Sequence, residues 1–190
     1  MQENLERSTL NPKTFINMNN AEKKKSELEK AGEDLLDFAV DREDVKWLMG
    51  QLPAETDIKR VTVEYELQIL KIIGVGWSLS YYLENSPQKT ELLEKYWEAI
   101  NELSQGISTT TEYMIGQNID YFQILKDRLD MYVTALSKNP DAPEPALVIG
   151  TEFARICGNV DDIFTFMTGS KMFISTINKV KAYLEVIKLR

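Results

Sequence analysis

The chain has 190 residues, 43% of them hydrophobic, which is enough for one domain with a sizeable core. Its formal net charge is −8, so the molecule as a whole is not expected to attract nucleic acid or anionic lipid. The sequence contains no histidine, which excludes the usual forms of catalytic triads, zinc sites and di-iron centres in helical bundles. Its single cysteine gives no sign of an oxidising compartment, and we expect a soluble, cytoplasmic protein.

The N-terminal residues 1–20 lack the apolar stretch of a signal peptide. We expect them to form an arm ahead of one helical domain at residues 21–190. The run between Lys71 and Glu84 holds twelve uncharged residues, whereas a membrane-spanning helix needs roughly 20 apolar ones. No membrane segment is therefore expected.

The first helical pattern runs from Ala21 to Met49, where apolar residues recur at helical spacing until Gly50 and Pro53. We predict one unbent helix over this range. It carries four acidic residues spaced four apart, here called the acidic stripe: Glu29, Glu33, Asp37 and Asp41. Like charges at this spacing cost about 0.2–0.5 kcal/mol per pair, so the stripe is expected to be a solvated face or a surface that meets a partner.

Residues 61–69, VTVEYELQI, alternate apolar and polar side chains, which is typical of a half-buried strand. A helix over residues 54–83 also accommodates them, since it places apolar residues on two sides, as in a helix enclosed by neighbours. No other segment offers a comparable partner strand, which favours the helix. We predict an all-α fold, an irregular bundle of five to seven helices around a central apolar helix at 54–83.

Two glycines, Gly74 and Gly76, lie within this central segment. They do not form a dinucleotide-binding fingerprint, because Leu79 stands where a third glycine is required. In a buried helix they are expected to let another backbone approach closely, at a cost of up to about 1 kcal/mol each in helix propensity.

Apolar periodicity predicts further helices over residues 92–136, with one interruption. In GISTTTE, residues 106–112, Thr109 and Glu112 fit a capping box, so we expect a break or kink near Gly106.

The C-terminal third is predicted to contain a loop and at least two helices. The prolines of NPDAPEP, residues 139–145, forbid regular helix there, and a short helix ending at Gly158 is expected to follow. In TGSKMF, residues 168–173, one helix is expected to end and the last one to begin.

The C-terminal segment 171–190 has five basic residues and one acidic residue. The helix dipole favours this charge distribution by itself. We add the hypothesis that Lys179 and Lys181 face the acidic stripe, within the fold or across a dimer. The stripe and these two lysines form the candidate interaction surface.

Three aromatic residues, Trp77, Tyr81 and Trp97, are the candidate pocket residues, because rings with polar tips suit a flat ligand. A role in the core is the alternative, since they lie near the apolar stripes. Cys157 follows a predicted helix, whose dipole raises a thiol pKa at that end, so we predict a buried packing residue. No catalytic residue, cofactor site or metal-ligand set is identified.

The sequence therefore favours a non-enzymatic protein that acts through protein contacts or self-association, without nucleic acid, membrane or cofactor. The alternative is a helical bundle whose aromatic-lined pocket binds or transforms a small molecule.

Overall fold

The computed structural model describes residues 27–53 and 58–188, and all regular structure within these ranges is helical. The first helix, α1, occupies residues 27–40. It is followed by α2 (Glu43–Gly50), α3 (Arg60–Tyr82), α4 (Lys89–Ile115), α5 (Tyr121–Lys138), α6 (Pro145–Ile156) and α7 (Ile163–Val186). The predicted all-α fold is confirmed. The predicted arm at residues 1–20 lies outside the described residues.

The helix α3 lies at the centre of the bundle and packs against α2, α4, α5 and α7. Residues 61–69 are helical, as the enclosed-helix interpretation predicted. The predicted start at residue 54 needs correction, because Ile58 and Lys59 are not helical and α3 begins at Arg60. The Arg60 guanidinium donates to the carbonyl oxygen of Met49 at 2.6 Å, which ties the start of α3 to the end of α2.

The single helix predicted over residues 21–49 is wrong, because Asp41 and Arg42 separate α1 from α2. Two side chains of α3 bind carbonyl groups freed at this break. Gln68 donates to the oxygen of Ala39 at 2.6 Å, and Lys71 donates to the oxygen of Asp41 at 2.8 Å. These bonds replace helical backbone bonds and stabilise the bend.

The helix α4 continues from Lys89 to Ile115, so a break near Gly106 is wrong, while the alternative of a kink there stays a prediction. Hydroxyl groups in this stretch donate to the carbonyl four residues earlier, at 2.6–2.8 Å, in Ser104, Ser108, Thr110 and Thr111. Hydroxyls that are satisfied inside the helix do not need to cap a new one. The helix ends at Gly116, which adopts the left-handed conformation with φ 68°.

The junction predicted at residues 168–173 lies inside the continuous helix α7. Its small residues serve packing instead of ending a helix. A Cβ on Gly169 would collide with the ring of Phe153, and the Oγ of Ser170 donates to the carbonyl oxygen of Ala146 at 2.9 Å. Small residues here let α6 and α7 approach closely. No helix in the described ranges has the length and apolar character needed to cross a bilayer.

Candidate functional site

An open cleft of about 560 Å³ lies at the surface between α3, α4 and α5. Trp77 and Tyr81 from α3 and Trp97 from α4 all line it, and we name it the aromatic cleft. The structure thus brings the three candidate pocket residues to one place, because Trp77 and Tyr81 are one helical turn apart on α3. Tyr81 is 66% exposed and stands at the edge of the cleft. Ligand binding there stays a prediction.

The position of Trp97 depends on Gly76. A Cβ at position 76 would overlap the indole ring of Trp97, so the missing side chain makes room for the ring against α3. The preceding Tyr96 is fully buried, and its hydroxyl donates to the carbonyl oxygen of Ile72 at 2.8 Å. The two glycines were expected to admit another backbone. They admit side chains instead, Trp97 at Gly76 and Thr176 at Gly74.

The chemistry of the aromatic cleft is mainly apolar, with charge at one end. Glu84 and Lys89 line it where the connection between α3 and α4 begins and ends, while Leu93 and Leu129 supply aliphatic surface. Such a lining suits a flat apolar group that carries a polar substituent. Within the described residues, no group of three Cys, Asp or Glu side chains is placed to hold a metal ion.

A second cleft of about 390 Å³ lies on the other side of Trp77 and Tyr81, against α6 and α7. Trp77 packs edge-on against Phe173, with ring centroids 6.3 Å apart. Ile174 and Pro145 complete the apolar part of this lining. The two clefts therefore share one aromatic ridge on α3.

The acidic stripe is exposed along its whole length. Its first three residues lie on α1, and Asp41 lies at the break that follows. Lys179 of α7 bonds to Asp44 of α2 at 2.6 Å, and it does not bond to a residue of the stripe. Within the described chain, the predicted pairing of stripe and basic segment is therefore replaced by a contact with α2. The use of the stripe as an interaction surface stays a prediction.

Lys181 lies 6.0 Å from the ring centre of Tyr82, so it also has a neighbour outside the acidic stripe. A hydrogen bond between α1 and α7 is made by Tyr183, whose hydroxyl donates to Asp34 at 2.8 Å. Burial and this carboxylate raise the pKa of Tyr183. The first and last helices therefore meet through Tyr183 and Asp34, which sequence reasoning did not select, and through Lys179, which it did select and whose ammonium lies 5.7 Å from the ring centre of Phe38.

Lys71 is fully buried beneath the α1–α2 break. Its ammonium lies 3.2 Å from Asp44, 3.7 Å from Asp41 and 4.3 Å from the ring centre of Phe38. Burial alone would raise the pKa of Asp44, but hydrogen bonds from Lys179 and Lys71 outweigh it and lower the pKa. A buried charge needs such partners, which identifies this cluster as structural. In the sequence, this cluster is indicated by Lys71, a lysine at the edge of a long uncharged run.

A second buried ion pair joins α3 to α5. The Arg128 guanidinium forms a bidentate pair with the Glu66 carboxylate, in which its Nη2 and Nε donate at 2.8 and 2.9 Å. Tyr132 lies nearby and its buried hydroxyl has no hydrogen-bond partner among the described residues. Cys157 is buried as predicted, and burial raises its pKa to about 12, so it is unsuited to nucleophilic chemistry.

The N-terminal half of α7 and the turn before it expose a row of large apolar side chains, here called the α7 face. Its members are Val160, Ile163, Phe164, Met167 and Ile174, each between 42% and 61% exposed. From Val160 to Met167 they follow helical spacing, at intervals of three or four residues. Sequence reasoning did not identify this row, because it placed a helix end at residues 168–173. The spacing of the apolar residues is nevertheless visible in the sequence.

Apolar side chains on two neighbouring helices extend the α7 face. Trp47 of α2 is 63% exposed and lies between Asp44 and Gln51, which contact α7 through Lys179 and Lys171. Leu147 of α6 is exposed next to Ala146, which accepts a hydrogen bond from Ser170 of α7. Exposed apolar side chains therefore occur on α7 and on two helices that pack against it.

No known protein family, curated protein or solved structure matches the chain. The clefts and the α7 face are therefore interpreted from their own geometry.

Proposed function

We propose that this is a non-enzymatic protein that acts in the cytoplasm by binding another polypeptide at the α7 face. The observation that carries the proposal is the row of five half-exposed apolar side chains along α7 and the turn before it. Contiguous apolar surface on a folded protein commonly marks a protein interaction site. The single, buried cysteine agrees with a reducing compartment.

The energy available from this surface is enough to matter. Full burial of such a side chain contributes about 1.5–3 kcal/mol, so covering the exposed half of five of them contributes roughly 4–7 kcal/mol before the costs of association. Trp47 and Leu147 would add to this at the edges. The acidic stripe lies elsewhere on the surface, and we retain it as a second contact surface for a basic partner.

Affinity capture from the native cell extract tests the proposal. The wild type is compared with Met167→Lys, which places a charge in the α7 face, and with Met114→Lys. Met114 is 73% exposed near the end of α4, so its substitution adds the same charge away from the face. We expect Met167→Lys to lose partners that the wild type and Met114→Lys retain. Identical captured sets for all three proteins would refute the proposal.

A second candidate function is small-molecule binding in the aromatic cleft. It is favoured by one observation, the convergence of Trp77, Tyr81 and Trp97 on a single lining. A thermal-shift panel of metabolites and nucleotides tests it, because a ligand stabilises the folded state by mass action. A true ligand should raise the melting temperature of the wild type and lose that effect in Val133→Lys, because Val133 lines the aromatic cleft and not the second cleft. Equal shifts in both proteins would exclude the cleft as its site.

A further inference from the structure

We propose that the polypeptide bound at the α7 face is a second copy of this chain, with the two α7 helices packed antiparallel around a two-fold axis beside Met167. This inference rests on the proposed function and names its partner. A two-fold dimer uses the same surface on both subunits, so the surface must be complementary to itself. The α7 face meets this requirement in apolar register and in charge.

The apolar register is symmetric about Met167. In an antiparallel pair of helices, a residue four positions before Met167 lies at the height of the residue four positions after it in the other copy. Met167 is then level with Met167 of the partner subunit, and the turn that carries Val160, just before α7 begins at Ile163, lies toward Ile174 of the partner subunit. Apolar side chains therefore meet at the centre and at both ends of the face.

The charges are arranged in the same symmetric way. Lys171 is exposed, and its hydrogen bond within the described ranges is a 3.4 Å contact to Gln51. In the antiparallel register it is level with Ile163 of the partner subunit, the first residue of α7, and so lies near the partner subunit's Asp161 in the turn just before that helix. Asp161 is exposed, whereas its neighbour Asp162 is occupied as the N-cap of α7. The pair of Lys171 with Asp161 of the partner subunit forms twice, because the two-fold axis repeats it. A parallel arrangement of the helices would instead place Lys171 beside Lys171 of the partner subunit.

The width of the apolar surface favours a folded copy over an isolated helix. A single docked helix would cover α7 alone. Trp47 and Leu147 are exposed on α2 and α6, which pack against α7, so a second globular subunit can cover them as well and exclude water.

The oligomeric state of the full chain tests the inference. Light scattering coupled to gel filtration, over a concentration series, should give a dimer for the wild type and for Met114→Lys. Met167→Lys should be monomeric, because it places two ammonium groups together at the two-fold axis. A wild type that stays monomeric at every concentration overturns the inference. If such a monomer still loses a captured partner through Met167→Lys, the proposed function stands without it.

Two further variants test the register. Lys171→Asp and Asp161→Lys should each weaken dimerisation, by about tenfold at low salt, because each turns two attractive pairs into repulsive ones. The double variant should recover most of the loss, whereas absence of recovery would overturn the antiparallel register.

An engineered disulfide gives an independent test. Met167→Cys should form a covalent dimer under mild oxidation, and Met114→Cys should not. The native Cys157 is buried, so it does not compete. Equal cross-linking of both variants would contradict the proposed two-fold axis.

Discussion

The buried pair between Glu66 and Arg128 allows a quantitative test of how the bundle is held together. Glu66→Gln would remove the negative charge and leave the guanidinium facing an amide between α3 and α5. Breaking one side of a buried ion pair costs about 3–5 kcal/mol. Because the Arg128 side chain is 24% exposed and can partly reach water, we expect the lower end, about 3 kcal/mol. For a chain of this size that corresponds to a melting temperature lower by roughly 6–12 °C.

Urea unfolding followed by circular dichroism measures this change. The control is Glu152→Gln, which breaks another bidentate pair, with Arg155 on the surface of α6. That pair is more exposed to solvent, so its loss should cost less than about 1 kcal/mol. The double replacement of Glu66 and Arg128 by leucine should lie within about 1–2 kcal/mol of the wild type, since no charge is left unpaired. Equal, small losses in Glu66→Gln and Glu152→Gln would refute the reasoning.

Three further predictions concern single side chains. Gly76→Ala should lower the free energy of unfolding by about 1–3 kcal/mol, because the new Cβ would overlap the ring of Trp97. Gly106 has open space around it, so Gly106→Ala should raise the free energy of unfolding by about 0.5–1 kcal/mol. Urea titration of both variants measures the two changes. Tyr132→Phe removes a buried hydroxyl that has no partner among the described residues, so the free energy of unfolding should hold or rise by up to about 1 kcal/mol. A loss of stability in the same assay would show that the hydroxyl is bonded. The lowered pKa of Asp44 stabilises the fold fully above its unfolded value of 3.8, and this contribution is lost as the pH falls through the folded value. Asp44→Asn should therefore be less stable than the wild type at pH 7, by about 1–3 kcal/mol, and an equal difference at pH 2 would contradict this assignment.

Part of the candidate site follows from sequence spacing. Trp77 and Tyr81 are four residues apart, so any helix through them places both rings on one side. That Trp97 joins them is a tertiary result, because it depends on how α4 crosses α3 at Gly76. Sequence spacing therefore predicted that Trp77 and Tyr81 lie together, whereas the aromatic cleft itself results from the packing of α4 against α3.

The errors in the predicted helix ends have a common physical cause. Serine, threonine and glycine clusters near residues 106 and 169 are ambiguous locally, since the same residues cap helices, continue them or allow close packing. The break at Asp41 has one local signal, the Asp41 carboxylate, which accepts a hydrogen bond from the backbone N–H of Glu43 at 3.3 Å. It is held by Gln68 and Lys71, which are distant in sequence.

The sequence by itself determined the helical class, the enclosed central helix and the burial of Cys157, because hydrophobic periodicity acts over one or two turns of chain. Only the tertiary structure decided which apolar side chains are covered. Met172 and Met167 stand on one helix with similar chemistry, yet the first is buried and the second is exposed on the α7 face. The difference arises because α3 and α6 cover one side of α7 and leave the other open.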